Sequence, residues 1–176
     1  MNIRSAHARD LEACLALDLS YESEYVWQLE STRASGVVGV TFRETRLPRA
    51  MRVMAIPARD LVSEHLERGE CFLIAEEAGG VRGYLDATVE AWRQIAWIHH
   101  VTVAPEWRRR GIGGALVRAA LNWAREHSLA TAMIETSTKN HPATALFQKH
   151  GFTFCGFNER YYANRDIVIF FALDLR

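Results

Sequence analysis

Apolar and polar positions recur along this chain with two different periods, and the switches between them predict its elements. Leu11, Leu15 and Leu17 behind an early Asp10 predict a short first helix over residues 8–18. Tyr21, Tyr25 and Leu29, spaced four apart, predict a second helix over 21–31. Val37 to Leu47 reads as a strand closed by Pro48, with Arg52 to Ile56 as its partner. Arg59 to Arg68 has a helical pattern that stops at Gly69. Cys71–Glu76, a tight turn at Gly79–Gly80, Val81–Val89 and Ile95–Val103 then form a run of strands, the last closed by Pro105.

From Ile112 the period becomes helical. Ile112, Leu116, Ala119 and Trp123 mark an amphipathic helix of about four turns. Thr131–Thr136 is another strand. Pro142 suits the first helical position after a cap at Asn140 or His141, and Gly151 ends that helix. Phe152–Phe157 and Ile167–Leu175 are the last strands. The order predicts one α/β domain over residues 1–176, a mixed sheet of about seven strands flanked by helices. No repeat or linker asks for a second domain.

Composition narrows the function classes. Hydrophobic residues make up 49% of the 176 and charged residues 24%, which suits a globular domain and argues against disorder. The formal net charge is zero, so no global field draws the chain to nucleic acid or an acidic membrane. Cys14, Cys71 and Cys155 are odd in number and far apart, which argues against a disulfide framework or a zinc ribbon. We expect no metal, small apolar cysteines in a reducing cytoplasm, and no membrane segment. No stretch approaches the roughly 20 apolar residues that a spanning helix needs.

The most informative segment runs from Ile98 to Leu116. A predicted strand passes through Arg108, Arg109 and Arg110 into Gly111, Gly113 and Gly114, where a helix begins. Glycines let backbone N–H groups come close to a ligand, and a helix start offers unpaired N–H groups with partial positive charge. Together they make a pyrophosphate site. A P-loop would need Lys followed by Ser or Thr after its last glycine, and Gly114-Ala115 lacks them. A dinucleotide fingerprint would need glycine directly after the strand, but seven residues separate Val103 from Gly111.

Arg108-x-x-Gly111-x-Gly113 resembles the acyl-CoA loop of the GNAT acetyltransferase superfamily. Asn140-x-x-Ala143-x-x-Leu146-Phe147-x-x-x-Gly151-Phe152 resembles the same family's last helix, and the two matches together cover residues 71–175. Residues 18–70 match no pattern and form an extra N-terminal insertion, a candidate elaboration of the acceptor site. The resemblance implies acetyl-CoA as cosubstrate and direct attack of a primary amine, through a tetrahedral intermediate. It implies CoA contacts at Val101, Val103, Arg108, Arg109, Arg110, Gly111, Ile112, Gly113, Gly114, Asn140, Ala143 and Phe147. The Val101 amide would be the oxyanion donor.

An alkylammonium has a pKa near ~10.4 and must lose a proton before it attacks. Glu135 is the first candidate base. It is acidic on an otherwise apolar strand, and its spacing to Asn140 is similar to that in ribosomal-protein N-terminal acetyltransferases and streptothricin-type acetyltransferases. His99 is the rival, since related enzymes carry a His or Glu on this strand. His100 should point to the opposite face unless the strand is bulged here. Phe147 stands where the family usually has a tyrosine as general acid, and Tyr161 or Tyr162 could supply that hydroxyl instead. Trp92, Trp97, Tyr21 and Tyr25 are candidates to line an acceptor pocket.

The acceptor stays open between a small-molecule amine and a peptide N-terminus. Other readings are an acyl-CoA-binding module without turnover, kept open by Phe147, and nucleic-acid binding through Arg108–Arg110, which zero net charge disfavours. By analogy with the family, the final strand Ile167–Leu173 could be shared in a homodimer.

Overall fold

The computed structural model describes residues 1–55 and 58–176. A seven-stranded mixed sheet carries the fold, in the order β1-β4-β5-β6-β7-β9-β8. Its strands are β1 (Asn2–Ser5), β4 (Cys71–Glu77), β5 (Gly80–Glu90), β6 (Ile95–Val103), β7 (Thr131–Ser137), β8 (Thr153–Asn158) and β9 (Val168–Asp174). Helices α1 (Leu11–Leu15) and α2 (Arg59–Arg68) cover one face, and α3 (Ile112–Glu126) and α4 (His141–Lys149) cover the other. The predicted sheet, its strand count and all the elements from Arg59 onward are present, with ends shifted by a residue or two. The β4–β5 turn sits one residue earlier than expected. Ala78 (φ 50°) and Gly79 (φ 72°) take the left-handed corner, and Gly80 already begins β5.

Alternation along the strands divides the core in two. On the α3 face Leu85, Ala87, Ile98 and Ile134 pack with Leu116, Val117 and Phe147. On the α2 face Phe72, Ile74 and Tyr84 pack with Cys14 and Val62. Cys14, Cys71 and Cys155 are all free thiols, the first two buried. Among the described residues no helix is long and apolar enough to cross a membrane.

The N-terminal region departs from the expected pattern. Residues 21–31 are not a helix: they belong to strand β2 (Tyr21–Ala34), paired antiparallel with β3 (Val37–Val53) as a long two-stranded ribbon. The spacing of Tyr21, Tyr25 and Leu29 fits both periods, because four is close to one helical turn and is two strand repeats. Ser23 and Trp27 fill the intervening positions of the same strand face, and a helix would turn them away. Trp27 ties the ribbon down: its amide donates to the Thr138 carbonyl at 2.9 Å, and its indole N–H to Thr144 Oγ1 at 3.2 Å. Pro48 does not close the second strand, which continues to Val53, so Arg52 belongs to β3 rather than to a partner strand, and Ile56 lies outside the described residues. The register shifts between Ser23 and Tyr25, opposite Pro48, so the missing proline N–H falls at a bulge. The predicted helix over 8–18 is also shorter, a 3-10 turn at Ala8–Asp10 leading into α1.

Candidate active site

Strands β6 and β7 run parallel but pair only from Ile95–Thr131 to Ile98–Ile134. Beyond that β6 stays with β5 and β7 stays with β9, so a gap opens between them. The Ala104 amide donates to the Arg82 carbonyl at 2.8 Å, which fixes the phase of the β5–β6 ladder. Hydrogen-bonded pairs alternate in an antiparallel ladder. The pairs Leu85–Val101 and Gly83–Val103 are therefore the non-bonded ones, and the main-chain groups of Val101 and Val103 point into the gap.

The glycine loop sits at the mouth of that gap. Ala115 is the first residue of α3 whose amide finds a carbonyl, that of Gly111 at 3.0 Å. The amides of residues 109–114 have no acceptor among the described residues. Arg109 (φ 62°) and Gly111 (φ 85°) both lie in the left-handed region, which curls this run of N–H groups at the helix start. Ile112 gives only its amide, since its side chain is buried in the core. A Cβ on Gly114 would stand 3.0 Å from Nε2 of His150, the residue that caps the end of α4, so the glycine lets α3 approach the end of α4.

The three arginines part company. Arg108 Nε donates to the Val103 carbonyl at 2.8 Å, and its other nitrogens donate to the carbonyls of Ser20 (2.7 Å) and Asp18 (2.8 Å). Its side chain is a strut that joins the loop, β6 and the segment leading into β2. The Arg110 guanidinium lies over the Trp107 ring at 4.8 Å, with Arg82 also over that ring at 4.8 Å. Arg109 is exposed.

The α4 residues are also distributed differently from the pattern. Asn140 caps α4, its side-chain oxygen accepting from the Ala143 amide at 3.2 Å. Phe147 is buried against Phe152 and Phe171 in the core.

Titratable groups gather on the α2 face of β5, β6 and β7. The β5–β6 register shifts between Asp86 and Ala87, with Asp86 opposite His100 and Ala87 opposite Ile98, so His99 is the extra residue of a bulge. The bulge turns both histidines toward α2. His99 Nε2 pairs with Thr88 Oγ1 at 2.8 Å and its ring lies 4.3 Å from that of His65. Burial and the neighbouring His65 push His99 down to about 4. Asp86, fully buried, meets His100 Nδ1 at 2.8 Å with one carboxylate oxygen and His65 Nδ1 with the other. Burial alone would raise the Asp86 carboxyl, but its two imidazole partners outweigh it and hold it low. This is the described set with metal-type ligand atoms close together, yet each nitrogen takes a different oxygen of one carboxylate rather than converging on a point.

Glu135 lies on the same side of the sheet, opposite in direction to the buried Ile134. Its Oε2 is buried without a partner among the described residues. Burial raises its pKa, while the Tyr161 hydroxyl and His100 pull it partly back. Tyr161, half exposed, is pushed up to about 12 by burial and by Glu135. Tyr162 and Tyr21 stand close by, both raised first by burial, with Asp166 adding to each. Of the proposed pocket aromatics, Trp97 lies on this face against Phe170, and Tyr25 lies tilted against His141, ring centres 5.1 Å apart. Trp92 does not join them: it is 80% exposed beside Arg93. Asp86 and His65 escaped the sequence reading. The signal for Asp86 was there, a carboxylate in the apolar run Tyr84-Leu85-Asp86-Ala87.

Comparison with known proteins finds acetyltransferases. The family model described as "Acetyltransferase (GNAT) family" matches residues 23–152. The chain is 28% identical over 166 residues to a streptothricin acetyltransferase of Streptomyces lavendulae, covering 90% of this chain and 85% of that protein. A crystal structure of nourseothricin acetyltransferase superposes with a TM-score of 0.84 at 23% identity, covering 99% of this chain and 98% of the other. A putative streptothricin acetyltransferase from Bacillus anthracis, solved with acetyl coenzyme A, gives 0.78 at 22% identity over 98% and 96%. Both superpositions take in almost the whole chain, the β2–β3 ribbon included.

Proposed function

The chain belongs to the GNAT acetyltransferase family, and from that premise we propose that it moves the acetyl group of acetyl-CoA onto a primary amine of a small molecule. The observation that carries the reading is the set of unpaired amides at residues 109–114, set at the mouth of a gap that the Val101 and Val103 amides also face. The fit is physical: linked phosphates need several N–H donors and positive potential, and this helix start supplies both. The acyl thioester of acetyl-CoA supplies the electrophilic carbonyl. Val103 would hold the pantetheine arm, and the Val101 amide would donate to the carbonyl oxygen as charge develops there.

Glu135 takes the ammonium proton, directly or through a water. Its raised pKa makes it a stronger base than an exposed glutamate. His99 suits that task less, with Nε2 engaged by Thr88 and basicity lowered by burial. Tyr161, whose hydroxyl interacts with Glu135, takes the general-acid role that Phe147 cannot fill. The β2–β3 ribbon, with Tyr21 at its start, forms the acceptor side. The breadth of the similarity to streptothricin acetyltransferase favours a small-molecule amine over a peptide N-terminus.

Thiol release from acetyl-CoA, followed across an amine panel that includes streptothricin and peptides with free N-terminal alanine, tests this. Release with small amines supports the reading. CoA binding with no release for any acceptor overturns it.

A further inference from the structure

Asp86 is a carboxylate with no access to solvent, placed between two imidazoles. A buried carboxylate needs partners for both oxygens, and here each oxygen has one. The partners differ. His65 on α2 is sealed, 5% exposed, whereas the His100 side chain keeps 20% of its surface and faces the same side of the sheet as Glu135 on the neighbouring strand β7. His100 is thus the member of the trio through which a proton can enter or leave. With Nδ1 turned to Asp86, the nitrogen left for other work is Nε2.

We propose that Asp86 is a positioning residue that fixes His100 as the Nδ1–H tautomer, so that His100 Nε2 takes the acceptor's proton onward from Glu135. The inference rests on the acetyltransfer reading of the same site. The amine N–H bond breaks and its proton goes to a Glu135 oxygen. That proton then moves to His100 Nε2, the electron pair stays on the Glu135 oxygen, and the carboxylate is restored. The imidazolium rests against Asp86 until its Nε2 proton passes to solvent. The net change is one proton released per amide formed, with neutral thiol as the other product. The groups facing His100 are Asp86 and Tyr84 from β5, His65 from α2, Glu135 from β7 and His99 beside it. Among these, Asp86 is the one hydrogen-bonded to its ring.

The test combines histidine nitrogen NMR on the intact protein with kcat/KM against pH. At pH 8 the wild-type His100 should carry its proton on Nδ1 with Nε2 bare. Asp86→Asn offers one acceptor and one donor to two imidazoles, so it should disturb that tautomer. It should lower kcat about 100-fold, leave KM for acetyl-CoA within about threefold, and move the acid limb of the pH profile to lower pH, because a carboxylate favours the imidazolium. His100→Gln should cost as much, and the double variant no more than His100→Gln alone. An Nε2–H tautomer in the wild type, an unchanged pH profile in Asp86→Asn, or fully additive losses would overturn the proposal. Should Asp86→Asn not fold, the wild-type tautomer and His100→Gln decide. A correct tautomer in a protein that acetylates no amine would sink the acetyltransfer reading instead.

Discussion

Arg108 and Val103 are joined by one hydrogen bond, guanidinium Nε to main-chain oxygen at 2.8 Å, and that bond couples the glycine loop to the edge of the gap. The same side chain reaches the carbonyls of Ser20 and Asp18, so three segments meet at one guanidinium. Conformation here depends on a side chain that need not touch a phosphate.

Arg108→Ala should therefore weaken CoA binding and stability together. Losing charged-donor hydrogen bonds to main-chain carbonyls costs about 2 kcal/mol, or roughly 4–8 °C in melting temperature for a chain of this size. Calorimetry with CoA should show affinity down about tenfold, if about 1.4 kcal/mol of that loss is felt at the loop. Arg109→Ala, at an exposed position with no such strut, should change the melting temperature by less than about 1 °C.

Gly111 holds φ at 85°, where a Cβ is strained although no atom lies within 4 Å of the place it would occupy. Gly111→Ala should cost about 1 kcal/mol without blocking folding. Relaxing that strain would turn the amides of 109–114, so CoA affinity should fall by more than the melting temperature suggests. Thermal melts with and without saturating CoA separate the two effects.

Glu135→Gln should lower kcat about 100-fold or more and leave CoA binding in place. Burial raises the folded pKa above the unfolded one, so the native state favours the protonated form. That contribution is present at low pH and is lost as pH rises through the folded value. At pH 8 the glutamine variant should thus melt at or above the wild-type temperature. A variant both inactive and less stable would point to a structural role.

His99 has the opposite sign from Glu135. Its folded pKa is pushed from 6.5 to about 4, so the unfolded chain binds the proton first. The associated stability is intact above 6.5 and drains away as pH falls toward 4. His99→Gln should flatten the loss of melting temperature over that window. An unchanged slope between pH 7 and 4 would contradict the assignment.

The cofactor half of the molecule was legible in the sequence because its signals are local. Gly111 and Gly113 mark a helix start directly, Asn140 and Pro142 mark another, and the apolar period of Ile112 to Trp123 has one interpretation. The β2–β3 ribbon was not legible from Tyr21, Tyr25 and Leu29, since that spacing belongs to helix and strand alike; Trp27 was the residue that discriminated. The face of His100 depended on a bulge that alternation cannot foresee. Asp86 and His65 meet across two elements, β5 and α2, and no pattern within either segment announces the contact.

Amide NMR of the labelled protein, titrated with CoA, tests the central claim most directly. The account predicts the largest shifts at residues 109–114, with Val101 and Val103 moving alongside them and the tip of the β2–β3 ribbon staying still. Saturable binding that left those amides unmoved, or no binding at millimolar CoA, would contradict it.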